Sequence, residues 1–343
     1  MEAGGAMRIA VIGAGAVGLT VADMLAQSDA VAEVHLFDRQ TEAAGGATSY
    51  AGASDVPHGW TERHRRLIET SMEWHRAVGA DLADEDRYRH RTGTFWRSDD
   101  ERSDARILGF AYDTPVLTTD ARTGARGLLG DGYVIAPGRL ARILLGRLRA
   151  SGKFTARFGT AVEGPAGLAD GTVLDASGGR DDFDAVVVAA GPWVTELLAD
   201  LPGLSGLRTK QVYGYRFTGD PRDPLTGTVV DLEHGAFLFP QPTVPDSYAM
   251  SIKCDVYDVP VAEGAPSAEA DEAAWTVART HLGPEARLTA RRIFVDTYTD
   301  GSIPLVADLS GGRRLVCVSG THGSGIRLAP GLAREACDLL GVA

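Results

Sequence analysis

Residues 8–18 carry the feature that most restricts how this chain can fold. The apolar run Ile9-Ala10-Val11-Ile12 leads without a break into Gly13-Ala14-Gly15-Ala16-Val17-Gly18, after which Val17, Val21, Met24 and Leu25 recur at helical spacing. A second apolar run, Val34-His35-Leu36-Phe37, ends at Asp38, 20 residues past Gly18. Strand, glycine turn, helix and second strand, in that order, are the parts of a βαβ unit that binds a dinucleotide. Gly13 permits the tight turn, Gly15 lets backbone N–H groups reach a pyrophosphate, and Gly18 lets helix and strand pack closely. Asp38 is placed to accept hydrogen bonds from a ribose. The fingerprint serves NAD and FAD alike, and by itself leaves that choice open.

The remaining pattern predicts a polar helix over 61–78, a charged and irregular stretch over 81–132, and a helix from 136 with Leu140, Ile143, Leu144 and Leu148 on one face. Residues 184–191 form the most apolar strand, suited to the centre of a parallel sheet. Short runs at 212–217, 228–232, 236–239 and 248–253 read as antiparallel strands, followed by a helix over 268–282 and a strand over 292–299. A strand over 315–319, a glycine loop and a last helix restore the α/β texture. The expected fold is α/β, or α+β taken as a whole: a discontinuous Rossmann-type nucleotide domain (1–80, 133–205 and 300–343) with an inserted, mainly antiparallel β-sheet substrate domain (81–132 and 206–299).

Composition narrows the partners. A net charge of −12 and a pI near 5.1 exclude nucleic acid, whose phosphates need a basic surface. No apolar run reaches 18 residues, so no membrane span is expected. Met1–Arg8 is too short and weakly apolar for a secretory signal. Cys254, Cys317 and Cys337 have no metal-ligand spacing, and an odd count suits no disulfide framework. A cytoplasmic enzyme, monomeric or homo-oligomeric, is the expectation. Its 42 glycines exceed ordinary usage, and many stand in loops that could approach a cofactor closely.

Three later segments resemble one family. Gly46-Ala47-Thr48-Ser49-Tyr50-Ala51-Gly52-Ala53 resembles the small-residue loop beside the flavin in D-amino acid, glycine and sarcosine oxidases. Ala189-Ala190-Gly191-Pro192-Trp193 resembles that family's strand end near the cofactor, and Ser319–Leu328 its C-terminal flavin loop. Each alone is also readable as an empty glycine-rich turn. The resemblance covers nearly the whole chain, weakest over 81–132, and is nearest to monomeric sarcosine oxidase and N-methyl amino acid oxidases. It implies an FAD-binding domain whose cofactor, held without a covalent bond, meets Gly13, Gly15, Ala16, Val17, Gly18, Asp38, Arg39, Thr48 and Ser49. Val162, Ala190, Gly191 and Trp193 follow from the middle of the chain, and Gly320, Gly323, Ser324, Gly325 and Ile326 from its end.

The resemblance also implies site residues. Met250-Ser251-Ile252-Lys253 resembles the strand whose lysine helps the reduced flavin react with oxygen; the ordinary alternative is a solvated lysine at a strand end. Arg327 stands where sarcosine oxidases grip the substrate carboxylate with a lysine, or else it holds a surface acid. His322 and Tyr257 are further catalytic candidates, and Tyr50 a pocket residue. Asp296 replaces the cysteine that links flavin covalently, which excludes attachment there; its other reading is recognition of a cationic substrate. Ile303 and Gly323 stand where D-amino acid and glycine oxidases have arginines, which weighs against a simple D-amino acid or glycine. The implied reaction is hydride transfer from the carbon next to nitrogen of a small amine or amino acid to FAD, with imine as product and O2 returning FAD to its oxidised form. A quinone- or carrier-linked dehydrogenase, an NAD enzyme and a binding protein on the same fold remain as alternatives.

Overall fold

The computed structural model describes residues 6–56, 61–98, 100–110, 115–119, 124, 126–199, 201–219, 227–231, 234–262, 264, 266–312 and 314–342. Met1–Gly5, part of the amino terminus read above, and Leu232, the end of one expected strand, lie outside them. The chain opens with β1 (Met7–Ile12), α1 (Ala16–Gln27), β2 (Val31–Asp38), α2 (Ala47–Tyr50), β3 (Ser54–Asp55) and α3 (Glu62–Gly79). Then come β4 (Arg89–Arg97), α4 (Glu101–Phe110), β5 (Val116–Thr119), β6 (Arg126–Ile135) and α5 (Pro137–Ala150). Next are β7 (Phe154–Phe158), β8 (Val162–Glu163), β9 (Thr172–Asp175), β10 (Arg180–Asp182), β11 (Ala185–Val188) and α6 (Val194–Leu197). The rest comprises β12 (Leu207–Thr218), β13 (Thr228–Asp231), β14 (Ala236–Pro240), β15 (Ser247–Ile252) and α7 (Ala268–Leu282). Last are β16 (Arg287–Thr299), β17 (Leu305–Asp308), β18 (Leu315–Ser319) and α8 (Gly325–Leu340).

Two compact units divide the chain. The first holds residues 1–49, 137–209 and 296–343. Its six-stranded sheet runs β17-β18-β11-β1-β2-β7, all parallel except β17, and β10-β9-β8 form a small antiparallel sheet beside it in sequence. Ile9–Val11 and Val186–Val188 are wholly buried, as strands with helices on both faces must be. α1 packs against α5 and α8, and Asp23 on α1 takes two hydrogen bonds from the Arg147 guanidinium on α5, at 2.8 and 3.1 Å. Chain order reverses on either side of β1. In doubly wound sheets ligands bind beyond the carboxyl ends of strands at such a point.

The second unit holds residues 50–136 and 210–295. It therefore contains 50–80, which the sequence reading placed with the nucleotide domain. The reason is local pairing: β3 lies on Tyr133 and Val134 of β6, and His75 of α3 bonds the Tyr88 hydroxyl at 2.9 Å. Its sheet orders the strands β16-β12-β15-β14-β13-β4-β6-β3, with β5 on β6. Most pairs are antiparallel, although β13 runs parallel to β4. The 81–132 stretch is more regular than its sequence texture indicated. β4 and β6 form a continuous ladder from Arg89↔Ile135 to Arg97↔Gly127, and its charges pair laterally, as in Arg91 with Asp131 at 2.7 Å. Lateral pairing of charges erases the alternation by which a strand is recognised. On one face α7, capped by Ser267 through Ala270 N–H, seals a core that includes Tyr215, Phe217, Met250, Ala274 and Val277. No helix among the described residues is long and apolar enough to cross a membrane.

Candidate functional site

The glycines of the first loop divide by what surrounds them. Gly13 is left-handed (φ +106°), and a Cβ on it or on Gly18 would collide with backbone, of Ala189 and of Gly13 respectively. These two glycines therefore serve the crossing of β1, α1 and β11. Gly15 is different: it is extended, and a Cβ would meet only the Thr48 hydroxyl, at 3.3 Å. It caps α1 with no side chain of its own, and the first turn carries no acid. The positive end of a helix dipole suits a phosphate anion. Ala16 N–H donates to Thr48 Oγ1 at 3.1 Å, while Val17 follows in the same turn.

Asp38 ends β2 beside this turn. Its carboxylate accepts from Ala14 N–H at 2.5 Å and from Gln40 N–H at 2.7 Å. Burial raises its pKa and the two hydrogen bonds oppose that rise. Each oxygen keeps further acceptor capacity, as recognition of a ribose diol needs. Next to it the Arg39 guanidinium lies 5.0 Å over the Trp193 ring. Ala190 precedes the short 3-10 turn Gly191–Trp193, where Gly191 (φ +56°) has nothing within 4 Å of a would-be Cβ. Ser49 folds back on its own loop, to Gly46 O at 2.9 Å. Val162 sits half-buried in β8.

The loop 320–324 is tied to the end of β16. Thr297 Oγ1 accepts from Gly320 N–H at 3.0 Å and meets Ser319 Oγ at 3.1 Å. Asp296 accepts from Thr297 N–H at 2.8 Å and from Gly323 N–H at 2.9 Å; burial raises its pKa and these bonds lower it. Sequence reasoning weighed Asp296 only as a missing attachment point or a cation receptor. Its structural part is to clasp the glycine loop. His322 takes a left-handed conformation (φ +52°). Its Nε2 accepts from Thr299 N–H at 3.0 Å, and its ring stands edge-on to Tyr298 at 4.8 Å. The imidazole thus braces the loop. Gly323 leaves space up to the Tyr298 hydroxyl, 3.7 Å from a would-be Cβ. Ser324 caps α8, followed by Gly325 and the buried Ile326. Arg327 is only 7% exposed and donates to Ser324 Oγ at 2.9 Å, so its guanidinium is engaged inside the first turn of α8.

In the second unit, Lys253 lies just past β15 with its side chain 62% exposed, its ammonium 3.4 Å from Asp255. Nearby is a residue that sequence reasoning missed. Lys210 is 7% exposed, 3.5 Å from Asp255, with its ammonium 4.9 Å over the Tyr257 ring. The structure so brings together Lys253, Tyr257, Asp255 and Lys210. In sequence Lys210 is an ordinary strand lysine, with no signal marking it for burial. Tyr50 lies under the Arg292 guanidinium at 3.9 Å.

The first unit fits FAD: a glycine-capped helix start with no acid in its first turn, an acid at the ribose position, and glycine loops open at Gly15, Gly191 and Gly323. Comparison with known proteins agrees. The chain is 28% identical over 263 residues to glycine oxidase of Geobacillus kaustophilus; the alignment spans 75% of this chain but 66% of that protein. Its fold is similar to that of L-proline dehydrogenase from P. horikoshii (TM-score 0.81, 16% identity, 99% of this chain and 95% of the other). It is also similar to that of glycine oxidase from Bacillus cereus (TM-score 0.78, 18% identity, 98% and 97%). The model of the DAO family, described as FAD dependent oxidoreductase, matches residues 8–339. A match that long settles the placement: this chain is a member of the DAO family of FAD-dependent oxidoreductases.

Proposed function

We propose that this enzyme removes hydride from the carbon next to nitrogen in a small secondary or cyclic amine or amino acid, leaving an imine that water hydrolyses. The carrying observation is the first unit's set of small-residue loops, clasped by Asp296 and Thr297 and open at Gly15, Gly191 and Gly323. When bound, FAD supplies the two-electron acceptor. The chain's own work is positioning: α1 and Asp38 hold the dinucleotide end, and the braced 320–324 loop keeps its shape without reorganisation. A relative named glycine oxidase and a fold neighbour named L-proline dehydrogenase support the carbon–nitrogen bond as the one oxidised.

Dioxygen is the final acceptor in this reading, with hydrogen peroxide as product. One observation favours a second reading, a dehydrogenase passing electrons to a quinone or carrier. The lysine expected to promote the oxygen reaction is exposed and paired with Asp255, whereas electrostatic catalysis is strongest where water is excluded. An anaerobic screen of amines and N-methyl and cyclic amino acids decides both points. At least one compound bleaches the yellow enzyme, and air restores the colour with one peroxide per turnover. Bleaching by none of them, with FAD fully bound, overturns the C–N reading. Slow return in air but rapid return with a quinone selects the dehydrogenase.

A further inference from the structure

The end of β16 and the loop after β18, both in the first unit, are bonded to each other almost residue by residue. Thr297 Oγ1 accepts from Gly320 N–H at 3.0 Å, and Thr297 O accepts from His322 N–H at 3.2 Å. Thr299 N–H donates to His322 Nε2 at 3.0 Å. Asp296 completes the series, one carboxylate oxygen taking Thr297 N–H at 2.8 Å and the other Gly323 N–H at 2.9 Å. The loop needs this hold, because Gly320 (φ +65°), His322 (φ +52°) and Gly323 (φ +72°) all follow a left-handed path. At Gly323 no packing substitutes for it. Nothing stands closer to a would-be Cβ there than the Tyr298 hydroxyl, at 3.7 Å.

The bonds differ in how they answer to protons. Those made by the threonine hydroxyl and the backbone carbonyl have no titrating member. Asp296 and His322 do titrate, and acid acts on both in the same sense. A carboxyl that takes up a proton loses its charge, and a charge-assisted hydrogen bond is about twice as strong as a neutral one. An imidazolium has no acceptor left to offer Thr299 N–H. Burial raises the pKa of Asp296 above its ordinary 3.8, opposed by its two N–H bonds. The other titratable or charged groups on the elements around it are Tyr298 and Asp300, His322 in the loop, and Arg327 in the first turn of α8. None of them offsets the effect of burial on Asp296, and Arg327 is engaged by Ser324.

We propose that Asp296 is a proton-sensitive latch on the 320–324 loop, closed as the carboxylate and loosened in mild acid, and that through this loop it sets how fast FAD leaves. The inference rests on the reading of the loop as a border of the FAD site; the identity of the oxidised substrate does not enter. Asp296 is a positioning residue in this account. It acts on the cofactor through the Gly323 N–H, and His322 supports it from the other side of the loop through Thr299.

The test follows FAD release from the holoenzyme, by the rise in FAD fluorescence after dilution, between about pH 8 and about pH 5. The wild type is expected to release FAD about tenfold faster at the acid end, the surplus of a charge-assisted bond over a neutral one. Asp296→Asn keeps the shape without the charge. It should release FAD about tenfold faster than wild type already at the alkaline end, and change less with pH. Every other titratable group is intact in this variant, so the difference between the two profiles belongs to Asp296. Circular dichroism at each pH checks the fold. Amide exchange resolved to single residues, corrected for the intrinsic rate, gives a second readout. In the wild type the protection of Gly323 N–H should fall about tenfold in acid, while Gly320 N–H, held by the Thr297 hydroxyl, keeps its protection. If Asp296→Asn does not fold, this measurement on the wild type decides alone. Parallel release profiles in the two proteins, or Gly323 protection that does not change with pH, overturn the latch. Loss of Gly323 protection in acid with FAD release unchanged overturns instead the reading of the loop as a border of the FAD site, so the two fail separately.

Discussion

Asp296 and Lys253 are two side chains whose surroundings decide what chemistry is open to them. Asp296 spends its carboxylate on two backbone N–H groups. The buried Cys317 and Cys337 thiols are pushed by burial to about 12, too high to furnish the thiolate that attacks as a nucleophile. FAD is accordingly expected to be held without a covalent bond through Asp296, Cys317 or Cys337. Acid precipitation is expected to move all of the yellow colour into the supernatant, and a coloured pellet would show a bond from some other residue. Lys253 carries the opposite lesson. Resemblance gives it a role in the oxygen reaction, where a fixed charge in a dry site contributes about 10²–10³ in rate. Exposure and the Asp255 partner reduce what the charge can do, since water and salt screen it. Lys253→Met is therefore expected to slow recovery of the yellow colour in air by less than about tenfold, the scale of about 1 kcal/mol for a screened surface charge. A hundredfold loss in stopped-flow measurements would restore the stronger role.

Elements, rather than residues, explain why the last glycine loop keeps its form. Gly320 and His322 are left-handed, and such a path persists only where neighbours hold it. The hold comes from β16: Thr297 is buried, and its Oγ1 serves both Gly320 N–H and Ser319 Oγ. Thr297→Val keeps shape and strand propensity but leaves that N–H unpaired, which costs about 1–3 kcal/mol. The variant should show a lower urea midpoint and faster FAD dissociation; an unchanged FAD off-rate would remove β16 from the account of the loop. Legibility in the sequence divides along the same line. The βαβ start, the 184–191 strand and α7 were readable because their signals are local: a glycine turn, a continuous apolar run, a helical stripe. The β4–β6 ladder was not, because its charges are neutralised by residues about forty positions away, such as Arg91 by Asp131. The half-buried Arg216 and the buried Lys210 were equally hidden. Nothing next to them in sequence distinguishes a lysine or arginine that a sheet will bury from one left in water.

At the scale of the molecule, acid should undo the second unit before it undoes anything the excess of negative charge alone would explain. His75 is 2% exposed and hydrogen-bonded to Tyr88. Burial, with a smaller opposing effect of Asp55, lowers its pKa from 6.5 to about 4. Between those values the unfolded chain takes up a proton that the folded chain refuses, so stability rises with pH across the window and falls as pH drops from about 6.5 to 4. A shift of that size corresponds to about 3 kcal/mol. Asp231 behaves in the same sense but lower down. Burial pushes it up, yet His281 at 3.7 Å and His234 at 3.0 Å outweigh burial and hold its carboxyl below the ordinary range. Its contribution is thus intact above about pH 4 and is lost only beneath it. The two groups separate in a titration of stability. Urea unfolding followed at pH 7.5, 6.5, 5.5 and 4.5 should lose stability steadily below 6.5. His75→Gln, whose amide can still meet the Tyr88 hydroxyl but cannot be protonated, should flatten that slope while being less stable than wild type at pH 7.5. A wild-type midpoint constant from 7.5 to 4.5, or a variant with the same slope, would remove His75 as the origin of the acid sensitivity and leave it to the carboxylates.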